Sequence, residues 1–388
     1  MKIVISDITG RTLNYDYALC NAICNTLEPS DSIEFWGPNK EHDERLVVRS
    51  FGSIVPGRFK TNENALVRIL KALDAVIAYM LIIFYFLRHK PDVFHLQWFP
   101  FLSLGERGAF IDRGFLKIVK KSSKKTKMVF TIHNMCPHGM TEEGRIKYNP
   151  IFANTLKLFD HFVVHTENTK VEVIKTFNLN DSQVSVVHHG VFIPNNVTFS
   201  RKPWNSKNVK LIMYGAQNWY KGTDIFIEAL SLLPNEYKHH ISVSICGVID
   251  KDTKNKCMNI ITNCDIEWLS YFLDDDLLYK KISEADIILL PYRRISQSGV
   301  LLLALATKRL IITSDLPTFK ETLCLYDDDL FFDSENPQSL ANLICKYLSG
   351  NIDTDKVLGN LESLAQMYSW NESAKITVNM HTDLIKSC

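Results

Sequence analysis

Short apolar runs recur along this chain at intervals that leave room for a helix between many successive runs, and after one polar stretch the series starts again. The first series is Lys2–Ser6, Val93–Leu96, Met128–Ile132, Phe162–Val164 and Val184–Val187. The second is Val209–Met213, Ile241–Ile245, Ile266–Trp268, Ile287–Leu290, Leu310–Thr313 and Leu330–Phe332. Runs that are apolar at nearly every position suit strands buried on both faces, as in a parallel sheet covered by helices. Helical lengths such as Asp224–Leu230 and Leu277–Glu284 fill gaps between them. Residues 195–208, rich in Asn, Ser, Lys and Pro, read as a linker. A chain of 388 residues also exceeds what one hydrophobic core usually serves. The expectation is an α/β protein of two doubly wound domains in tandem with a cleft between them, the first domain ending at residue 194.

Charge and cysteine usage remove several alternatives. Lys and Arg number 44 against 43 for Asp and Glu, so no overall field favours nucleic acid, and any electrostatic partner must be recognised locally. Nine cysteines lie scattered without the paired CxxC spacing of a zinc or redox site, a usage that suits a reducing cytoplasm. The start, Met1-Lys2-Ile3-Val4-Ile5-Ser6-Asp7, reads as a first strand and not as a secretory leader, so the expected location is cytoplasmic.

One segment bears on membranes. Ala75–Leu87 is thirteen uncharged residues in a row, short of the roughly 20 needed to cross a bilayer, and it reads first as a buried helix packed on a sheet. A helix partly facing lipid is the competing reading. Lys117, Lys120, Lys121, Lys124, Lys125 and Lys127 could meet anionic lipid, although a bare charge run is more commonly a solvated helix face.

Open α/β sheets bind ligands beyond the C-terminal ends of their strands, which directs attention to the loops there. In the first half these carry Gly10, His95, His133-Asn134 with His138, His165, and His188-His189-Gly190. The histidines lack the HxxxH or Cys/Asp spacing of a zinc site. In the second half, Tyr214-Gly215-Ala216-Gln217-Asn218-Trp219-Tyr220-Lys221-Gly222 leads into a helix. Gly215 lets the backbone turn and Lys221 supplies a compact cation. Later, Ser296-Gln297-Ser298-Gly299-Val300 opens another helix, where unpaired N–H groups and the positive helix end suit phosphate. Placed together, these two segments make a diphosphate site.

On these residues the chain resembles glycosyltransferases of the family 4 type. The likeness runs through Phe130-Thr131-Ile132-His133-Asn134, Val187-His188-His189-Gly190, Gly215 to Gly222, Ala285 to Tyr292, the Ser-Gln-Ser-Gly segment and Tyr368-Ser369-Trp370. The resemblance implies the GT-B fold, two facing Rossmann-like domains, here 1–194 for the acceptor and 195–365 for the nucleotide sugar. A closing helix at 366–388 would return to the first domain. It implies sugar transfer from a nucleotide-sugar donor to an acceptor hydroxyl without a required metal or other cofactor. It places Lys221 on the donor diphosphate and His133 beside the reacting sugar. Gly215, Gly222, Ser296, Gln297, Ser298, Gly299 and Val300 would surround the donor, and Gly10, His95, Asn134, His138 and His189 the acceptor or cleft.

Two departures stand out. Many relatives carry Arg where this chain has Ala216, and two glutamates where it has Ile295 and Leu303; the chain resembles the subgroup that has Ser-Gln-Ser-Gly instead. The candidates for a general base are His133, His138, Glu142 and Glu143, and the stereochemistry stays open. The apolar helix and the lysines of the first domain suggest a lipid-linked saccharide acceptor from surface polysaccharide assembly and peripheral contact with an anionic membrane. The alternatives are a sugar-nucleotide epimerase of the same shape or an inactive sugar-nucleotide-binding protein. A dinucleotide oxidoreductase would want GxGxxG after the first strand, which Asp7-Ile8-Thr9-Gly10-Arg11-Thr12 does not supply.

Overall fold

The computed structural model describes residues 1–40, 42–51, 65–136, 140–191, 197–295 and 298–387. The chain forms two compact units, Met1–Gly190 with Trp370–Cys388, and Val191–Ser369.

The first unit holds seven parallel strands: β1 (Lys2–Ser6), β2 (Ser32–Gly37), β3 (Val47–Ser50), β4 (Val93–Leu96), β5 (Lys127–Thr131), β6 (His161–Val164) and β7 (Val184–Val186), ordered 3-2-1-4-5-6-7. The second holds six: β8 (Val209–Tyr214), β9 (Ile241–Cys246), β10 (Asp265–Leu269), β11 (Ile287–Leu290), β12 (Leu310–Ser314) and β13 (Phe331–Phe332), ordered 10-9-8-11-12-13. Each sheet is therefore wound outward in both directions from its first strand, and the adjacent first and fourth strands mark the switch point where such folds bind ligands. The unbroken apolar strands are the buried ones, as in Ile287–Leu290 paired on both sides by β8 and β12.

Strands β2 and β3 escape the apolar pattern. Glu34 sits in the middle of β2 and is held by Arg49 of the edge strand β3 at 2.8 Å, by Lys2 of β1 at 3.2 Å and by the Trp36 indole N–H at 2.9 Å. These partners favour its ionised form and oppose the effect of burial; the net result is a carboxyl held below its usual range.

The apolar segment around residues 75–87 lies within a longer helix, Ala65–His89, of 25 residues. Ala75, Ala78, Tyr79, Ile82 and Phe86 are buried against the sheet, but Leu66, Ile69, Leu70, Leu73, Val76, Ile77, Met80, Leu81, Phe84 and Leu87 are exposed. The buried helix expected first is thus packed on the sheet along one side only, and the apolar stretch is longer than the thirteen residues read from sequence: its 21-residue portion Ile69–His89 is apolar and long enough to cross a membrane by length and composition alone. The helix Glu106–Ser122 packs beside it on the same face of the sheet, with Tyr79 stacked on Phe115 at 3.8 Å and the Tyr79 hydroxyl donating to Asp112 at 2.8 Å. On the opposite face, the helices Leu13–Thr26 and Trp370–Lys386 pack together.

Candidate functional site

In the second unit, β8 runs into Gly215, which adopts φ +97°. A Cβ there would lie 3.2 Å from Lys221 Nζ and 3.5 Å from Val300 Cγ2, so the lysine and the start of the Gly299–Ala306 helix meet over a residue that must lack a side chain. Gly222 is more constrained: at φ +72° an added Cβ would sit 1.8 Å from the Pro291 carbonyl oxygen. That approach locks the Lys221 turn against the end of β11, and the Arg293 N–H donates to the Tyr220 carbonyl at 2.8 Å across the same junction.

Lys221 is 5% exposed. Its ammonium donates to the Tyr292 hydroxyl at 2.5 Å and lies 4.6 Å from that ring's centre, yet among the described residues it forms no ion pair with a carboxylate. Burial brings its pKa down from 10.5 to about 8. A buried cation without a counter-charge is costly unless an anion arrives to pair with it. Ser298 caps the helix by accepting from Leu301 N at 3.1 Å, Tyr214 donates to the Val300 carbonyl at 3.0 Å, and the space beside Gly299 is open. Ser296 and Gln297 lie outside the described residues. Ile295 and Leu303 pack against the core.

Sequence reasoning missed three side chains here. Tyr292, two residues past the end of β11, is the partner of Lys221. Arg293 grips Asp224 through both carboxylate oxygens at 2.8 and 2.9 Å, tying the start of the Thr223–Leu232 helix to the end of β11. Arg294 is exposed, with its guanidinium 5.3 Å from the centre of the Trp219 ring. Their place just after a strand was the available signal.

The first unit contains a cavity of about 520 Å³ beyond the ends of β4 and β5, lined by Arg11, Thr12, Trp98, Leu102, Phe130, His133, Asn134, Tyr148 and their neighbours. His133 forms part of its wall, stacked on Trp98 at 5.0 Å. Its Nδ1 lies 3.1 Å from His165 Nε2, and His165 Nδ1 lies 2.9 Å from the Val187 carbonyl. Because a carbonyl only accepts, His165 carries its proton on Nδ1, so His133 donates from Nδ1 and leaves Nε2 to the Gln97 amide at 3.0 Å. The Gln97 amide nitrogen is otherwise buried without a partner, so exchanging its O and N lets that nitrogen donate to His133 Nε2. Burial pushes His133 well below the ordinary histidine range and His165 down to about 3. Both ring nitrogens of His133 are therefore engaged on a neutral imidazole, so to act as the base, as one of the four candidates, it would first have to release Gln97.

Other expected residues separate. Gly10, at φ +64°, stands at the end of β1, where the Asp7 carboxylate accepts from the backbone N–H groups of Thr9, Gly10 and Thr12. His189 packs on Tyr15 and Trp370, with ring centres at 4.9 and 5.1 Å. His95 is not in a loop at all. It lies within β4, 1% exposed, bonded to the Thr131 hydroxyl at 2.8 Å with its ring 5.3 Å from His381. Its place in the cleft is corrected, because the strand continues one residue past it and turns its side chain inward. His138 lies outside the described residues. Glu142 and Glu143 are exposed in the first turn of the Glu142–Leu156 helix, Glu143 paired with Lys147. Among the described residues, no three His, Cys, Asp or Glu side chains converge as metal ligands would.

Comparison with known proteins places this geometry in context. The Glycosyltransferase Family 4 profile matches residues 36–193, and the Glycosyl transferases group 1 profile matches residues 196–361. Sequence comparison with curated proteins gives no match. Among solved structures, the chain is similar to sucrose-phosphate synthase from Thermosynechococcus elongatus (13% identity, TM-score 0.69, all of both chains covered). It is also similar to HepE from Anabaena in complex with UDP-glucose (12%, 0.62, all of both chains). A third is the lipopolysaccharide outer core galactosyltransferase WaaB (13%, 0.64, 99% of this chain and all of that one). At these identities the likeness establishes a shared two-domain α/β fold.

Proposed function

We propose that this chain, a glycosyltransferase of the two-domain GT-B type, moves a sugar from a nucleoside diphosphate held by its second unit to a hydroxyl of an acceptor held by its first. The observation that carries the reading is Lys221, an ammonium kept in a buried pocket with a hydroxyl for a partner and no carboxylate ion pair among the described residues, beside a helix N-terminus. Breaking the anomeric carbon–oxygen bond puts positive charge on the sugar and negative charge on the departing diphosphate. In this proposal, Lys221 and the backbone N–H groups around Ser298 and Gly299 stabilise that negative charge, so the reaction requires no metal. Ser296 and Gln297 contact ribose or sugar hydroxyls, Gly215 and Gly222 keep the pocket open, and exposed Arg294 makes good the cation missing at Ala216.

With both nitrogens of His133 engaged, the departing diphosphate is the simpler acceptor for the proton of the attacking hydroxyl. His133 then serves as a neutral wall beside the reacting sugar, with Asn134, Gly10 and His189 around the acceptor. The cavity that joins Arg11 and Asn134 to Trp98, Phe130 and Phe152 suits a saccharide attached to an anionic or apolar carrier. We take the acceptor to be a lipid-linked saccharide of surface polysaccharide assembly and place the protein in the cytoplasm, peripheral on the membrane's inner face. The outer core galactosyltransferase among the similar folds is consistent with that class of acceptor.

A panel of nucleotide sugars screened by thermal shift identifies the donor, because a bound donor raises the melting point by mass action. Transfer is then measured with the wild type and Lys221→Ala. The variant is expected to lose most turnover while remaining folded. Activity within about threefold of wild type would remove Lys221 from the site. Isomerisation of the donor without any acceptor would point to an epimerase.

A further inference from the structure

We infer that the outer face of the helices Ala65–His89 and Glu106–Ser122 lies in the plane of an anionic bilayer, an inference that rests on the lipid-linked acceptor proposed above. The exposed residues of the first helix, Leu66, Ile69, Leu70, Leu73, Val76, Ile77, Met80, Leu81, Phe84, Leu87 and Arg88, recur every three or four positions and form one continuous stripe. The stripe runs along a helix of roughly 35 Å. Single exposed apolar side chains are ordinary, but a continuous stripe of ten marks an interaction surface.

The neighbouring helix widens it with Phe110, 72% exposed, Ile111 and Ile118, and the turn before it adds Leu104. Cations identify the occupant. Arg107, Lys117 and Lys121 are exposed on the second helix, Lys124 and Lys125 follow it, and Arg88 and Lys90 close the first. Exposed acidic side chains on these two helices reduce to Glu106, which pairs with Arg113. Apolar side chains bordered by lysines match an acyl boundary beneath anionic headgroups.

The helix lies in the plane and does not span. Its other face, Ala75, Ala78, Tyr79, Ile82 and Phe86, is buried in the sheet's core, with Phe86 against Phe94 of β4 and neighbouring Tyr85 against Trp36 of β2, and a spanning orientation would strip that core. The Leu102–Leu104 turn reaches both places, because Leu102 and Ser103 line the cavity while Leu104 is exposed. A carrier anchored in the bilayer could present its saccharide to the cavity without leaving the membrane.

The test is flotation of the full chain with vesicles of phosphatidylcholine alone and of phosphatidylcholine mixed with phosphatidylglycerol. The wild type should float with the mixed vesicles. Lys117→Gln with Lys121→Gln should weaken that binding about fivefold per lysine. Ile77→Ser, Met80→Ser and Phe84→Ser together should weaken binding to both vesicles by roughly tenfold or more. The nucleotide-induced melting shift should be unchanged in each variant, which shows that the fold survives. A wild type that stays with the soluble fraction, lysine variants that bind undiminished, or a stable dimer dissolved by the triple substitution would overturn the inference. Transfer to a water-soluble acceptor without flotation would sink the membrane face and leave the transferase reading intact. Flotation without any transfer would do the reverse.

Discussion

Replacing Lys221 by Met should make the second unit more stable and at the same time unable to respond to donor. The side chain keeps its length and volume but loses a charge that the pocket disfavours. A pKa brought from 10.5 to about 8 corresponds to about 3 kcal/mol against the charged form at pH 7. Methionine removes that penalty and also removes a hydrogen bond to the Tyr292 hydroxyl, about 1 kcal/mol, although Tyr292 keeps Ser298 as a partner. The net expectation is about 2 kcal/mol of added stability, or roughly 4–8 °C in the melting point of a unit this size. The sign fixes the pH window. Between about 8 and 10.5 the unfolded chain binds more protons at this lysine than the folded one, so wild-type stability rises with pH there and the gap to the variant closes. Calorimetry from pH 7 to 10.5, with and without nucleoside diphosphate, checks both halves. A variant less stable than wild type at pH 7, or one whose melting point nucleotide raises as much as the wild type's, would refute the idea that this charge is held for a phosphate.

Other consequences follow from the same geometry. Gly222→Ala should destabilise the second unit by about 3 kcal/mol or more in denaturant titration, because its Cβ would enter the Pro291 carbonyl at positive φ, whereas Gly299→Ala should leave the fold unchanged and affect only donor affinity. Asp224→Asn breaks the forked pair with Arg293 and should cost about 1–3 kcal/mol, with a larger loss of donor affinity than of melting temperature. Burial lowers His165 and His381 to about 3, so the unfolded chain binds their protons first as pH falls below 6.5, and the first unit should lose stability on acidification between 6.5 and about 3. His381→Leu, which removes an imidazole buried with both nitrogens unpartnered, should flatten that loss as followed by near-UV circular dichroism. The kcat/KM profile should show no ionisation near 6.5 from His133 and should fall as pH rises through about 8, where free Lys221 loses its proton.

The two-sheet plan was legible because strands buried on both faces must be apolar throughout, and the restart at Val209 repeats that signature. Strands β2 and β3 were not, since Glu34 is tolerated inside β2 only through Arg49 and Lys2, partners that come together after folding. Gly215, Lys221 and Gly222 stood out by residue type and spacing. Their meeting with Val300 could be expected from the rule that strand ends gather, but Tyr292 and the Arg293–Asp224 clamp could not, because each joins residues about 70 apart.

The helix at residues 65–89 shows the limit most plainly. Its sequence determined that it would be helical and apolar, because its hydrophobic residues occupy every side of the turn. Only packing against the sheet, at β2 and β4, decided which side became core and which stayed outside, since a sheet can cover one face of a helix and no more. The histidines divide in the same way. Local sequence put several at or near strand ends, while the hydrogen-bond chain from Val187 through His165 and His133 to Gln97 chose their tautomers and their neutral state, which depend on partners from four separate segments.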